Sequence, residues 1–102
     1  MKDLIDKLQE WNAAGEQVAL ATVIAVHGSA PRPEGAKMAV TRSGKIAGSV
    51  SGGCVEAAVA EEAQRVLQSR EPAIVRYGIN RNMMWDVGLS CGGTIEVFIE
   101  PL

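Results

Sequence analysis

The chain is organised around residues 48–56, which run Gly48-Ser-Val-Ser-Gly-Gly-Cys-Val-Glu56. Strand and turn signals precede this stretch. Apolar residues at helical spacing follow it from Val55 to about Gln68, namely Val59, Ala63, Val66 and Leu67. A turn rich in glycine and serine that leads directly into a helix points several backbone N–H groups at one spot, and the helix dipole adds positive charge there. Residues 48–53 therefore predict an anion-binding turn.

Cys54 is placed in the first turn of the predicted helix, where the same N–H groups would stabilise a thiolate and make the thiol more reactive. The second cysteine, Cys91, has mirrored neighbours: Ser51-Gly-Gly-Cys54 is matched by Ser90-Cys-Gly-Gly93. In a reducing compartment a structural disulfide is not expected. Both cysteines are interpreted as free thiols, ligands or reactive groups, and a small buried hydrophobic role is the alternative for each.

Composition narrows the classes of partner. The net charge is −2 and no run of Lys or Arg occurs, which argues against nucleic acid. Apolar residues make up 47% and charged residues 22%, the balance of a soluble globular protein. No apolar run reaches the roughly 18 residues of a membrane-spanning helix, and the N-terminus lacks a signal-peptide hydrophobic region. The chain is predicted to be cytoplasmic, with no membrane partner.

The hydrophobic pattern predicts a mixed α/β (α+β) fold: about five strands in one sheet with two main helices, in a single small domain over residues 1–102. The run from Val18 to Val26 is apolar and β-branched, as in a central strand covered on both faces. A first helix should end at Gly15, and Gly44 should supply the positive φ of a hairpin. The remaining predicted elements are a helix at 3–14 and strands at 37–41, 45–50, 73–78 and 94–99.

Three glycine-rich loops, 28–35, 48–54 and 86–93, would gather at one edge if their strands share a sheet. Backbone N–H groups and a guanidinium suit negative oxygens, and thiolates suit soft metals or sulfur chemistry. A phosphorylated or otherwise anionic, sulfur-linked ligand is therefore indicated. The spacing is neither that of a P-loop nor that of a dinucleotide fingerprint.

Three motifs in this order resemble the XdhC/CoxI family: Gly28-Ser-Ala-Pro-Arg-Pro-Glu-Gly-Ala-Lys-Met38, Gly48–Glu56 and Gly88-Leu-Ser-Cys-Gly-Gly93. The resemblance is to the N-terminal module of proteins that mature xanthine dehydrogenase-like molybdenum hydroxylases. It implies an accessory protein that binds the molybdenum cofactor (molybdopterin) transiently, protects it during sulfuration and inserts it into the apo-enzyme. A cofactor chaperone is expected rather than a turnover enzyme.

The resemblance also implies a site. Cys54 and Cys91 would handle the cofactor or its sulfur and are candidate metal ligands, and no catalytic residue is assigned with certainty. The other candidate cofactor-binding residues are Ser29, Arg32, Ser49, Ser51, Gly52, Gly53, Gly92 and Gly93. Typical members carry a C-terminal Rossmann-like domain, which is expected to be absent from residues 1–102. The resemblance implies an apo molybdenum hydroxylase and a cysteine desulfurase as partners, and the small size of the domain predicts either a second copy (a homodimer) or a Rossmann-domain protein.

Alternative interpretations remain open beside this one. The chain could be a sulfur carrier or sulfurtransferase acting through a Cys54 persulfide. It could also be a non-catalytic assembly module that docks a partner through residues 83–85, Met-Met-Trp. For single residues, His27 is interpreted as a structural imidazole, Arg32 as either an anion ligand or a solvated charge, and Glu56 as a helix cap.

Overall fold

This computed structural model describes residues 2–28, 33–53, 55–79 and 93–102. One antiparallel sheet has the strand order β3-β2-β1-β5-β4, which places β1 in the centre. The predicted fold class, with five strands and two helices, is confirmed. The elements are α1 (Lys2–Ala13), β1 (Val18–His27), β2 (Lys37–Thr41), β3 (Ile46–Gly48), α2 (Glu56–Ser69), β4 (Ala73–Ile79) and β5 (Gly93–Pro101).

The main core lies between α2 and one face of the sheet. Strand β5 alternates between buried and half-buried positions, and Ile95, Val97 and Ile99 are fully buried, as their spacing predicted. They meet Val59 and Ala63 of α2, which lie at the predicted helical spacing. Removing these apolar side chains from water is the main source of stability of this layer.

The opposite face of the sheet carries α1. Leu4 and Trp11 of this helix pack against Val18 and Ala39, which explains why β1 is apolar on both faces. Helix α1 packs on β1, β2 and β3. At the far side of the sheet, on β4, Ile74 is 63% exposed. Neither helix of the described part is long and apolar enough to cross a membrane.

Strands β1, β3 and β4 run in the same direction and finish at what we call the upper end of the sheet. Their ends are not level. Gly48 pairs with Met38, which pairs with Ala21, whereas Thr94 pairs with His27. Six residue intervals of β1 separate Ala21 from His27, which corresponds to a step of about 20 Å along the strand. The predicted glycine-rich loops thus leave the same end of the sheet at two different heights.

Residues 33–36 lie along β1 within this step. The Val23 N–H donates to the Ala36 carbonyl at 2.9 Å, and the Gly35 N–H donates to the Val23 carbonyl at 2.8 Å. On the other side of β2, the Ser49 N–H donates to the Lys37 carbonyl at 3.0 Å. Residues 33–36 are therefore fixed to β1, and the chain after β3 is fixed to the start of β2.

Candidate functional site

The carboxylate of Glu56 is the centre of the turn that joins β3 to α2. Its Oε2 accepts hydrogen bonds from the Ser49 hydroxyl at 2.6 Å, the Val50 N–H at 3.0 Å and the Ser51 N–H at 2.9 Å. Its Oε1 accepts from the Gly53 N–H at 2.8 Å and from the Ser51 hydroxyl. We call residues 49–53 the Glu56 turn, because one carboxylate engages four of these five residues.

The two serine hydroxyls hold the turn from a second side. The Gly52 N–H donates to Ser49 Oγ and the Val55 N–H donates to Ser51 Oγ, each at 2.9 Å. Gly52 and Gly53 have φ values of +71° and +114°, a region that side chains with a Cβ rarely adopt. The backbone is therefore fixed on both sides of position 54, and the two glycines are needed to close the turn.

The hydrogen bonds dominate the electrostatics of Glu56. Burial of the carboxyl is the largest single influence and raises its pKa. Hydrogen bonds from the Ser49 and Ser51 hydroxyls and from the Ser51 and Val50 N–H groups act in the opposite direction and together prevail. They lower the pKa of Glu56 to about 2. The turn therefore contains a fixed negative charge at neutral pH.

This geometry corrects the predicted anion site. The N–H groups of the turn do converge on one anion, but that anion is the protein's own carboxylate. The hydroxyls of Ser49 and Ser51 are engaged in the same way. These donors are not available to hold an external phosphate or to stabilise a thiolate at Cys54. The predicted contact between Glu56 and Gly53 at the start of the helix is present.

Only part of the predicted site falls within the described residues. Gly93 begins β5 and pairs with Ile79 at the higher of the two levels. Four predicted residues do come together in that turn: Ser49, Ser51, Gly52 and Gly53. Ser29, Arg32, Cys54, Cys91 and Gly92, together with residues 83–85, lie outside the described residues.

His27 belongs to a surface cluster at the higher level. Its Nε2 lies 3.2 Å from Glu96 Oε2, and Arg76 donates to the same oxygen at 3.2 Å. Hydrogen bonds from His27 and then from Arg76 lower the pKa of Glu96. The side chain of His27 is 59% exposed, so this cluster of three polar side chains is solvated.

Lys37 lies in the first of the three motifs but was not predicted as a site residue. It opens β2, is half-buried, and its Nζ donates to Thr22 Oγ1 at 3.3 Å. Its carbonyl holds the first residue of the Glu56 turn, Ser49. The available signal was a lysine at the start of an apolar strand, directly after a glycine- and proline-rich loop.

Comparison with known proteins gives a consistent result. The family model described as the XdhC and CoxI family matches residues 11–78. "Molybdenum cofactor insertion chaperone PaoD" of Escherichia coli is 40% identical over 89 residues, which cover 87% of this chain. A Bacillus subtilis protein named as a probable xanthine dehydrogenase subunit is 33% identical and covers 85% of it. A solved structure named as a xanthine dehydrogenase from Bacillus halodurans superposes with a TM-score of 0.78 at 36% identity, over 95% of this chain.

These relatives are longer than the chain. The matched region spans 28% of the Escherichia coli protein, 27% of the Bacillus subtilis protein and 30% of the solved Bacillus halodurans chain. The similarity therefore concerns one part of each relative.

Proposed function

Because this chain belongs to the XdhC and CoxI family, we propose that it holds the molybdenum cofactor transiently and passes it to an apo molybdenum hydroxylase of the xanthine dehydrogenase type. The family match to residues 11–78 supports this, as do the names of two relatives, one a cofactor insertion chaperone and the other part of a xanthine dehydrogenase. In this proposal the cofactor is cargo, and the chain turns over no substrate.

The Glu56 turn carries the proposal. Five hydrogen bonds to one carboxylate and two to serine hydroxyls fix the backbone on both sides of position 54. Positive φ values at Gly52 and Gly53 restrict the residues that can build it. The two residues that flank Cys54 in the sequence, Gly53 and Val55, are therefore held in place before a ligand binds. Preorganisation of this kind favours capture of a ligand.

We assign contact with the metal or the sulfur of the cofactor to Cys54 and Cys91. Thiolates are suited to soft metals and to sulfur chemistry. Gly53 precedes Cys54 in the turn between β3 and α2, whereas Gly93, which follows Cys91 by two residues, begins β5. Each thiol therefore needs its own test.

Cofactor retention tests the proposal directly. Purified protein is mixed anaerobically with released molybdenum cofactor and passed through a sizing column. The protein peak is then assayed for molybdenum and, after oxidation, for pterin fluorescence. Wild type should retain cofactor, and Cys54→Ser or Cys91→Ser should retain less. The absence of cofactor in the wild-type peak would refute the chaperone function for this chain, and equal retention by both variants would refute the assignment of the thiols.

Sulfuration is the finer step, and we place it at Cys54 as a second candidate. The Cys54 thiolate would attack the outer sulfur of a desulfurase persulfide, and the desulfurase cysteine would leave as a thiolate. Mass spectrometry after incubation with a cysteine desulfurase and cysteine should show the addition of one sulfur atom. An unchanged mass in wild type, or an equal gain in Cys54→Ser, would exclude the persulfide.

The partner surfaces are part of the same proposal. An apo molybdenum hydroxylase is the expected acceptor, and a second copy or a Rossmann-domain protein is the expected companion of this small domain. Ile74, on the half of the sheet beyond α1, is an exposed apolar contact for such a companion. The mass of the protein by light scattering, with and without the apo-enzyme, tests both expectations.

A further inference from the structure

A cleft of about 660 Å³ opens beside the first residue of the Glu56 turn, between α1 and the sheet. Three segments line it: the first two turns of α1 with Leu4 and Lys7, residues 33–37, and residues 47–49. This volume is within the range of pockets that hold ligands of cofactor size. We call it the lysine cleft, after Lys7 and Lys37.

Lys37 gives the lysine cleft a cation that forms no ion pair with the part of the chain that the structure describes. Its side chain is half-buried against β1, where Nζ donates to Thr22 Oγ1. Among residues 2–28, 33–53, 55–79 and 93–102, no carboxylate oxygen lies within 4.0 Å of this nitrogen, since none of the ion pairs includes it. A partly desolvated ammonium group without a counter-ion attracts an anion more strongly than a solvated one does.

Lys7 can supply a second cation. Its Nζ lies 3.5 Å from Glu10 Oε2 on the same helix, and both side chains are at least half-exposed. Such surface pairs contribute about 0.3–0.5 kcal/mol and exchange easily for a stronger anion. Lys7 therefore remains able to turn toward a ligand in the lysine cleft.

Two carboxylates in the lysine cleft narrow the class of ligand. Glu34 is tied to β1, because its Oε2 accepts from the Val26 N–H at 3.3 Å, and Asp3 lies in the first turn of α1. The cleft has no net charge from its two lysines and two carboxylates, which are Lys7, Lys37, Asp3 and Glu34. A simple anion would therefore bind there without the help of a net positive charge. A ligand with a phosphate for the lysines and N–H donors for the carboxylates uses both.

We propose that the lysine cleft binds the phosphate-bearing end of a pterin phosphate, with Lys37 and Lys7 as the phosphate ligands. This inference rests on the proposed chaperone function and deepens it. The Glu56 turn cannot take the phosphate, because its N–H groups and hydroxyls are engaged by Glu56. The lysine cleft borders the same turn at Ser49, so cargo anchored there would lie next to the fixed backbone that leads to Cys54.

The test compares the affinity of released molybdenum cofactor for four variants, measured by anaerobic equilibrium dialysis and oxidation of the bound cofactor to its fluorescent form. Lys37→Gln should raise the Kd about tenfold or more, and Lys7→Gln should raise it severalfold. Lys37→Arg keeps the charge and should stay within about threefold of wild type. Lys45→Gln is the matched control, because Lys45 is an exposed lysine of the β2–β3 hairpin paired with Glu16, and it should bind like wild type.

Each outcome is informative. A Kd for Lys37→Gln equal to that of Lys45→Gln, in a variant with an unchanged melting temperature, overturns the lysine cleft but leaves the chaperone function standing. Failure of wild type to bind overturns the proposed function itself. Guanosine monophosphate shares the phosphate and the N–H donors of a pterin phosphate. If it binds wild type more tightly than the cofactor does, the cleft is a nucleotide site and the pterin assignment fails.

Discussion

Replacing Glu56 with glutamine removes the charge at the centre of the turn and keeps the size of the side chain. A glutamine oxygen at the place of Oε2 can still accept from Ser49, Val50 and Ser51. The amide nitrogen then takes the place of Oε1, where it meets the N–H of Gly53, a donor facing a donor. Glu56→Gln is therefore expected to destabilise the protein.

The magnitude follows from the pKa of Glu56. A fall from the ordinary 4.5 to about 2 corresponds to about 3.4 kcal/mol, at about 1.4 kcal/mol for each pKa unit. Glu56 is partly exposed, so solvent screens part of this interaction, and a loss of about 1–2 kcal/mol in the free energy of unfolding is expected. Glu61→Gln, at a 76% exposed position of the same helix, is the control and should change it by less than about 0.5 kcal/mol.

The pH dependence has a definite sign. Because the pKa of Glu56 is lower in the folded state than in the unfolded one, its contribution is fully present above about pH 4.5 and is lost as the pH falls toward 2. Urea unfolding of wild type and Glu56→Gln at pH 7, 4 and 3, followed by tryptophan fluorescence, should show a difference that shrinks with falling pH. Equal stability at pH 7, or a difference that persists undiminished at pH 3, would refute this reasoning.

Three further perturbations test the fold around the site. Gly48→Ala should lower the free energy of unfolding by more than about 2 kcal/mol, because φ is +81° and the added Cβ would collide with the Lys37 carbonyl. Gly44→Ala is the control: φ is +98° but the space around the added Cβ is open, so a loss of about 1 kcal/mol is expected. Equal urea midpoints for the two variants would contradict the collision. Ile99→Ala empties a fully buried position and should cost about 2–5 kcal/mol, whereas Ile74→Ala at the exposed edge strand should stay within about 0.5 kcal/mol in the same assay. Arg76→Gln removes an exposed ion pair with Glu96 and should lower the urea midpoint only slightly, an effect that high salt abolishes.

The sequence predicts the fold well because the spacing of its apolar residues is regular in most of the helices and strands. Alternation at Ile95, Val97 and Ile99 identifies the buried face of β5, and the unbroken apolar run of β1 identifies a strand covered on both faces. Boundaries shift by up to two residues, and β3 ends at Gly48 rather than at residue 50, because the backbone turns there and Ser49 bonds to Lys37. Local glycine geometry, rather than hydrophobic pattern, sets that boundary.

The site is predicted less well, for a physical reason. Gly-Ser composition before a helix indicates converging N–H groups but does not say which anion they meet. Glu56 lies three residues beyond Gly53 and can supply its own carboxylate at no cost in association entropy. The sequence does not predict the role proposed for Lys37, because the cleft beside it is formed with α1, which lies far away in the sequence.

The short range of the Glu56 contacts has a consequence for how the chain folds. The Ser49 hydroxyl is seven residues from Glu56, and the other partners of the carboxylate are nearer still. Contacts of such low sequence separation close small loops and lose little chain entropy before they form. The pairing of β1 with β5 joins residues on opposite sides of the whole chain and must close a far larger loop. The turn that leads to Cys54 can therefore form early on the folding pathway. The pairing of the strands of the sheet would follow, with the Glu56 turn already in place.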